Sequence, residues 1–266
     1  MAITFRTLQS SSSGNSILIQ TDETNLLVDC GFRSQKGCKT VLNEAIDNIS
    51  DIDAVIVTHN HGDHITYSAL KVLEQNNVPV YISEGSAEEL KYKHYKGYAF
   101  SALDLRFFSA GSFQIKDLTI EAVEVPHHPS LPTFAFAIHH KAQDREHKIL
   151  VAADFTDGHA LAEHLEHADL IYIEANHCLE LLRVFPNFNS IYHMNNPATA
   201  KLLADTLGER EIPPQVVVLG HLSNQRNDPQ KALDEIYEAF KKRGKEINFP
   251  IEVAPRFDPS DEIKIA

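Results

Sequence analysis

The chain has 266 residues and a formal net charge of −13, and 43% of its residues are apolar while 23% are charged. This is an ordinary globular composition with enough length to bury a core. The acidic balance argues against a protein that grips nucleic acid through a broadly basic face, and apolar runs such as ILVAA and VVVL are too short to span a bilayer.

The N-terminal stretch MAITFRTLQSSSSGNS lacks the basic region and following apolar region that mark a signal peptide. The three cysteines, Cys30, Cys38 and Cys178, are odd in number and widely spaced, which is not the pattern of a disulfide framework. We therefore expect a cytoplasmic protein whose cysteines act as small apolar residues of the core.

Strand and helix patterns alternate in the first half of the chain. The strand-like runs ITFRTL, SILIQ and NLLVD come first, separated by turn-forming residues. Apolar spacing then predicts the helix CKTVLNEAIDNI, the strand DAVIVTH, the helix ITYSALKVLEQ, the strand VPVYIS and the helix SAEELKYK. Between the first two strands, SSSSGNS reads either as a flexible linker or as a loop that faces a substrate, and its short length favours the loop.

The second half repeats this order. Hairpin-like strands are predicted in LDLRFF, SFQIKDLTIEAVEVP and TFAFAIHH. Strands then alternate with helices, and the strands are KILVAADF, DLIYIEA and QVVVLGH, with PATAKLLADTL and PQKALDEIYEAFKK among the helices. Two similar halves without a linker predict one α/β domain over residues 1–266, a four-layer αβ/βα sandwich in which two sheets face each other and helices lie outside.

The chain has 15 histidines, and several of them lie in polar surroundings that predict no catalytic role. We expect six of these to be exposed, because they flank the loop KAQDRE or lie on the polar helix DGHALAEHLEHAD: His139, His140, His147, His159, His164 and His167.

Other histidines and aspartates follow the ends of predicted strands. AVIV runs into THNHGDH, EAVEV into PHHP, ILVAA into DFTDG, and VVVL into GHLSN. Loops at the C-terminal ends of strands are where α/β folds collect ligand-binding groups, because a rigid sheet positions them. Seven residues are therefore candidate metal ligands: His59, His61, Asp63, His64, His127, Asp154 and His221.

The spacing within HNHGDH fits metal coordination. His59 and His61 can reach one ion from an extended turn, while Asp63 and His64 can reach a second. Imidazole and carboxylate ligands together suit zinc, manganese or iron better than calcium or magnesium, which prefer oxygen ligands. We expect Gly62 to permit the tight backbone of this turn. The prediction is two divalent metal ions, zinc or manganese, with iron as a further candidate.

The motif THNHGDH resembles the THxHxDH motif of the metallo-β-lactamase superfamily, and His127, Asp154 and His221 follow in the order that this superfamily uses. The resemblance covers essentially the whole chain and implies the metallo-β-lactamase fold. Within the superfamily, SSSSGNS, IEANH at 173–177 and GHLSNQRNDP at 220–229 resemble the WalJ/YycJ-like branch. That branch is related to tRNase Z and other members that process nucleic acids.

The resemblance implies a role for each candidate ligand. The first metal would be held by His59, His61 and His127, and the second by Asp63, His64 and His221, with Asp154 bridging the two.

Two further residues, His128 and Asp29, accompany these candidates. The branch usually has His followed by Asp where this chain has His127 and His128, and we choose His127 because it directly follows the strand and Pro126. His128 is then expected to support the site or face the substrate. Asp29 resembles the strand-end aspartate that the family places near its metals, although it could equally cap a helix or turn.

The predicted catalytic residues are Asp63, Glu174 and His193. Glu174 and His193 lie between Asp154 and His221, where the tRNase Z branch has a glutamate and histidine relay that they resemble. Such a pair can protonate a leaving alkoxide, because the carboxylate stabilises the charged imidazole. The alternative is that Glu174 only caps the end of a strand and that His193 only belongs to the turn before a helix.

The charge of the predicted site suits a phosphodiester. Two divalent ions, two carboxylates and a bridging hydroxide leave one net positive charge, which matches the single negative charge of a phosphodiester. The leading prediction is a phosphodiesterase or nuclease that acts on nucleic acid ends. The alternatives are a hydrolase of a small ester, lactone or thioester, and a metal-bound regulatory protein without turnover; the oligomeric state is not predicted.

Overall fold

Apolar runs of the sequence become the strands of two seven-stranded sheets in this computed structural model, which describes residues 3–92, 98, 100–142, 145–208 and 210–265. The strands are β1 (Ile3–Ser11), β2 (Gly14–Gln20), β3 (Asn25–Val28), β4 (Ala54–Ile56), β5 (Val80–Ser83), β6 (Leu105–Phe108), β7 (Gly111–Ile115), β8 (Leu118–Val125), β9 (Thr133–Lys141), β10 (Glu146–Ala152), β11 (Leu170–Glu174), β12 (Val216–Gly220), β13 (Ile251–Val253) and β14 (Ile263–Ile265). The helices are α1 (Gln35–Ala45), α2 (Tyr67–Gln75), α3 (Glu84–Tyr92), α4 (Ala162–His167), α5 (Leu179–Val184), α6 (Asn196–Leu207) and α7 (Pro229–Lys242).

Each sheet is antiparallel on one side and parallel on the other. The first has the order β14-β1-β2-β3-β4-β5-β6 and is parallel from β3 to β6. The second has the order β13-β12-β11-β10-β9-β8-β7 and is parallel from β13 to β10. The parallel strands β4, β11 and β12 are buried on both faces, which explains why AVI, LIYIE and VVVLG are continuous apolar runs rather than alternating ones.

Three apolar cores separate four layers. Side chains of both sheets meet in the central core, which includes Phe5 of the first sheet and Phe136 of the second. The outer face of the first sheet packs against α1 and α2, and the outer face of the second packs against α4, α6 and α7. The predicted four-layer αβ/βα sandwich is therefore confirmed.

Capping residues fix where the helices near the strand ends begin. Ser34 accepts a hydrogen bond from the Gly37 amide, so α1 begins at Gln35, three residues before the predicted start. Asn195 caps α6 by accepting from the Ala198 amide, and Asp228 caps α7. Every helix within the described ranges is too short or too polar to traverse a bilayer.

Three details of the fold differ from the prediction. LDLRFF is not part of a hairpin in the second sheet, because β6 pairs in parallel with β5 of the first. The short strands β13 and β14 were not predicted, and β14 pairs with β1 although β13 belongs to the other sheet. Most of the serine run lies in strands, since Ser10 and Ser11 end β1 and Ser16 belongs to β2, so only a tight turn remains exposed.

Two of the six histidines that were predicted to be exposed are buried. His140 and His147 face each other across β9 and β10, and their side chains are 2% and 4% exposed. His140 Nε2 lies 3.2 Å from Asp117 Oδ2, so this buried ring has a carboxylate partner. His159 and His167 are exposed as predicted, whereas His139 and His164 are half-buried.

Candidate metal centre

The candidate ligands come from both sheets and meet where strands end. The HNHGDH segment follows β4 of the first sheet, and the other three ligands follow β8, β10 and β12 of the second. The structure brings all seven predicted ligands together in two sets of four that share Asp154, within 4.8 Å in each set. The first set is His59, His61, His127 and Asp154, and the second is Asp63, His64, Asp154 and His221.

Donor atoms of the first set face one another. His61 Nδ1 lies 2.8 Å from His59 Nε2 and 3.2 Å from His127 Nε2. Asp154 Oδ2 lies 3.2 Å from His59 Nε2 and 3.5 Å from His127 Nε2. Four donors in a tetrahedron with metal–nitrogen bonds of about 2.0–2.1 Å would be separated by about 3.3 Å. The four side chains therefore fit a single ion of the size of zinc.

The second set has a similar arrangement on the other side of Asp154. His64 Nε2 lies 3.2 Å from Asp154 Oδ2 and 3.6 Å from Asp63 Oδ2. His221 Nε2 lies 3.2 Å from the same Asp63 oxygen. Because Asp154 Oδ2 belongs to both sets, its carboxylate has the position that a bridging ligand needs. Two nitrogen and two oxygen donors again fit a transition metal better than calcium.

Burial keeps the first three imidazoles neutral. Removal from water, together with neighbouring histidines, lowers the pKa of His59 to about 4, and burial likewise lowers the pKa of His61 and His127 to about 4. A neutral imidazole has the lone pair that a metal requires, whereas an imidazolium has none. Burial would raise the pKa of the Asp154 carboxyl, but His221 and His64 outweigh this effect and hold its pKa well below the usual range.

The far nitrogens of three ligand rings are held by oxygen acceptors. His64 Nδ1 donates to Asp29 Oδ2 at 2.7 Å, and His127 Nδ1 donates to the Tyr192 carbonyl at 2.8 Å. His221 Nδ1 lies 2.7 Å from Glu174 Oε1. Each bond fixes the tautomer that points Nε2 into the centre, which is how proteins orient histidine ligands of metals.

Asp29 supports the centre and does not cap a helix. Its carboxylate accepts from the Thr58 amide at 2.8 Å and from the Thr58 hydroxyl, in addition to His64. Asp29, Asp154 and His221 also share a left-handed backbone, with φ of 61°, 56° and 53°. Non-glycine residues rarely adopt this conformation, and such strain is concentrated at functional sites.

The HNHGDH turn does not require Gly62, and the glycine that the site needs lies in another segment. Gly62 has an ordinary backbone, and a Cβ placed on it would meet nothing within 4 Å. The close approach is at Gly31, where a Cβ would lie 1.9 Å from the Asp63 carbonyl oxygen. The Asn15 amide donates to that same carbonyl at 2.7 Å, so Gly31 allows β2 and the HNHGDH segment to meet.

Of the adjacent pair His127 and His128, only His127 is in a ligand set of the described residues. His128 lies beside the centre, with its ring 5.9 Å from that of His61 and 4.9 Å from that of Tyr192. It lines the cleft above the ligands, and its Nδ1 accepts from the Ser130 amide. Of the two roles expected for His128, its place in the cleft favours the substrate-facing one, which stays a prediction.

Glu174 and His193 form a bonded pair next to the shared aspartate. His193 Nδ1 lies 2.8 Å from Glu174 Oε1 and 3.3 Å from Asp154 Oδ1. Burial would lower the pKa of His193, but the charges of Glu174 and Asp154 outweigh it and raise the pKa to about 10. The ring is 18% exposed and lines the cleft, so its protonated imidazole can contact a molecule that binds in the cleft.

A cleft with a volume of about 490 Å³ opens above the centre. Candidate ligands form its floor, while its walls are mostly hydroxyl and amide side chains: Ser12, Asn176, Asn187, Asn189, Ser190, Tyr192 and Ser223. Arg226 adds a cation to this wall. Such walls can hydrogen-bond a polar substrate without repelling its negative charge.

Sequence reasoning missed several residues that hold this site. Thr58 bonds Asp29 and lies 3.1 Å from His59 Nδ1, and Asn15 Nδ2 lies 3.3 Å from His64 Nε2. Asn176 Nδ2 donates to the His221 carbonyl at 3.1 Å. The available signal was that Thr58, Asn176 and Asn15 lie within the motifs THNHGDH, IEANH and SSSSGNS, but which atoms they contact depends on tertiary structure.

Comparisons with known proteins agree with this geometry. The family model described as Beta-lactamase superfamily domain matches residues 24–221. The chain is 27% identical to exodeoxyribonuclease YycJ of Bacillus anthracis over 281 residues, covering 100% of this chain and 99% of that one. It is 28% identical to exodeoxyribonuclease WalJ of Streptococcus pneumoniae over 228 residues, covering 83% and 81%.

A solved structure shows the same fold. The metallo-β-lactamase fold protein YhfI from Bacillus subtilis aligns with a TM-score of 0.75 at 17% identity, covering 99% of this chain and 100% of that one. Together with the layered sheets, this alignment confirms the metallo-β-lactamase fold. The family match and the two converging ligand sets support binding of divalent metal ions.

Proposed function

The chain belongs to the β-lactamase superfamily, and on that premise we propose that it is a dinuclear metal-dependent phosphodiesterase that acts on nucleic acid ends. The observation that carries this proposal is the pair of four-residue ligand sets that share Asp154. The curated relatives that cover most of this chain are named exodeoxyribonucleases, which favours a nucleic acid strand over a small ester as the substrate.

The first ion would be held by His59, His61 and His127 and the second by Asp63, His64 and His221, and Asp154 would be shared by both. Zinc or manganese suits this donor set, with iron as a further candidate. When bound, a pair of divalent ions supplies charge neutralisation for a phosphoryl oxygen and an activated hydroxide near neutral pH.

The protein's own residues would orient the reaction and move its protons. Asp63 is 23% exposed and faces the cleft, where its carboxylate can orient the attacking water. His193 is held through Nδ1 by Glu174, so a proton on Nε2 can pass to the oxygen of the leaving group. The hydroxyl and amide walls and Arg226 would bind the phosphate chain on either side of the reacting bond.

Two broader expectations accompany this function. A single domain over residues 1–266 is supported by the central core, because both sheets contribute side chains to it. A cytoplasmic location is supported by the three buried cysteines, which are free thiols in the structure.

The test is to measure bound metal and then assay the same sample on several substrates. We expect hydrolysis of end-labelled linear single strands and of bis(p-nitrophenyl) phosphate, and resistance of circular strands if ends are required. His61→Ala should abolish hydrolysis, whereas the control His159→Ala alters an exposed histidine away from the cleft and should leave it unchanged. Turnover of a lactone or thioester without hydrolysis of any phosphodiester would refute the proposal.

A further inference from the structure

Exposed apolar side chains are concentrated in one short segment beside the cleft. Among the described residues, nine large hydrophobic side chains are exposed, and five of them lie between positions 179 and 191. We call these five the apolar surface: Leu179, Val184, Phe185, Phe188 and Ile191. Phe188 is the most exposed of them at 77%, and Val184 and Ile191 follow at 63% and 60%.

The apolar surface does not serve the folding of the protein. Helix α5 contributes no buried residue, unlike α6 and α7, whose apolar side chains fill the outer core. A concentration of exposed apolar side chains in water is unfavourable and usually marks a surface that binds something. We therefore expect the segment LELLRVFPNF to bind another molecule.

The same segment forms one wall of the cleft. Asn187, Asn189, Ser190 and Tyr192 line the cleft, so polar side chains that face the candidate centre alternate with the exposed apolar ones. The segment is anchored at both ends, because the Tyr192 carbonyl accepts from His127 Nδ1 and the Phe185 carbonyl accepts from Arg226 Nε, each at 2.8 Å. A polymer that leaves the cleft over this wall meets the apolar surface.

The volume of the cleft and the charges beside it indicate what kind of molecule binds the apolar surface. A cleft of about 490 Å³ can enclose on the order of one or two nucleotides, so a longer strand must continue outside it. The net charge of −13 would repel a phosphate chain, but here Arg183 and Arg226 are cationic and Glu180 is neutralised by Lys231 at 2.7 Å. Exposed aromatic rings next to cations are what single-stranded nucleic acid binds, by stacking its bases and pairing its phosphates.

We propose that the apolar surface holds unpaired bases of the strand whose end lies in the cleft, and that the Phe188 ring stacks on the first base that lies outside the cleft. This inference rests on the proposed function, since it assigns the substrate of that site as a strand with unpaired bases at its end. A second copy of the chain is the less favoured occupant, because five side chains are few beside the 20–30 residues that each partner of a stable interface uses, by a rough count.

The experiment compares KM on two end-labelled single-stranded DNA oligonucleotides, one intact and one with an abasic site at the first nucleotide outside the cleft, about two positions from the scissile phosphate. Loss of one stacked base corresponds to a change in binding affinity on the order of 5- to 100-fold. We expect Phe188→Ala to raise KM on the intact strand by that factor. Phe188→Trp should leave KM at the wild-type value. The control is Tyr237→Ala on α7, which removes an aromatic ring that is 50% exposed outside the apolar surface and should change nothing.

The abasic strand separates stacking from a general effect of the substitution. Wild type should lose affinity for it by the same factor, whereas Phe188→Ala should show no further loss. Metal content and turnover of bis(p-nitrophenyl) phosphate show that the variant is folded and its centre intact. Equal KM for wild type and Phe188→Ala on the intact strand overturns the inference while the proposed function stands.

Two other results would also overturn it. If wild type is a dimer by light scattering and Phe188→Ala is a monomer with unchanged KM, a second copy occupies the surface. If wild type cleaves no nucleic acid, the proposed function has failed, and the inference fails with it.

Discussion

The substitution His193→Ala removes the group that we assign as proton donor and should slow hydrolysis of an oligonucleotide by about 10²–10⁴. The structure supports the assignment because two carboxylates position the ring, with Nδ1 at 2.8 Å from Glu174 Oε1 and 3.3 Å from Asp154 Oδ1. Those carboxylates raise the pKa of His193 to about 10, so the imidazole is protonated at neutral pH and ready to donate. The lost rate corresponds to about 3–5 kcal/mol of transition-state stabilisation.

The loss should depend on the leaving group. An alkoxide leaving from a nucleic acid needs a proton, whereas p-nitrophenolate departs as a stable anion. The expected loss on bis(p-nitrophenyl) phosphate is therefore less than about tenfold. For each substrate, kcat is measured on the same preparation, and metal content is determined in parallel. Metal content should be unchanged, because His193 is in neither of the two sets to which the ions are assigned.

A second histidine of the cleft provides the matched control. His128 also lines the cleft, but its Nδ1 accepts from the Ser130 amide rather than donating to a carboxylate. We expect His128→Ala to change both substrates by the same factor. If His193→Ala also reduces both rates equally, its role is binding or structure, and the assignment as proton donor is refuted.

Three further predictions concern the metal centre. Asp154→Ala should abolish activity and reduce metal content to one equivalent or fewer by elemental analysis, because Asp154 belongs to both ligand sets; full activity with two tightly bound ions would contradict its bridging role. Chelation should lower the melting temperature in calorimetry, and added zinc or manganese should restore it, because the converging polar groups are costly to hold without cations; an unchanged melting curve after verified metal removal would argue against a buried centre. Asp29→Asn should weaken metal affinity by about 10- to 100-fold in a chelator competition, since Asp29 orients His64 through Nδ1, and unchanged affinity would exclude that role.

The candidate ligands are accessible from the sequence because they follow apolar runs that are typical of buried strands. Strand ends of a layered α/β fold meet at one edge, so the amino-acid order alone groups His127, Asp154 and His221 with the HNHGDH segment. The groups that hold the ligand rings cannot be found this way. The Tyr192 carbonyl that accepts from His127 is a backbone atom 65 positions further along the chain, and no side-chain pattern marks it.

The wrong predictions have a common physical cause, which is that a local pattern identifies a strand but not its neighbours. LDLRFF is correctly predicted as a strand, yet its pairing with β5 is set by how the chain crosses between sheets. His140 and His147 lie beside a polar loop, but the period of two in β9 and β10 turns both rings inward. The strands IEV and IKI have three residues each, too few for a periodic signal.

The pairing of β14 with β1 has a consequence for the order of folding. Ile3 lies opposite Ile265, and the Ser10 amide donates to the Arg256 carbonyl, so β1 gains its outer neighbour from the far end of the sequence. A ribosome releases Ile3 long before Ile265, and until then one edge of β1 stays open to pairing with other chains. Ser10 also accepts from the His221 amide, which makes the same strand part of the support of the centre. We therefore expect the protein to reach its full metal affinity late during synthesis, after β14 has paired with β1 in the first sheet.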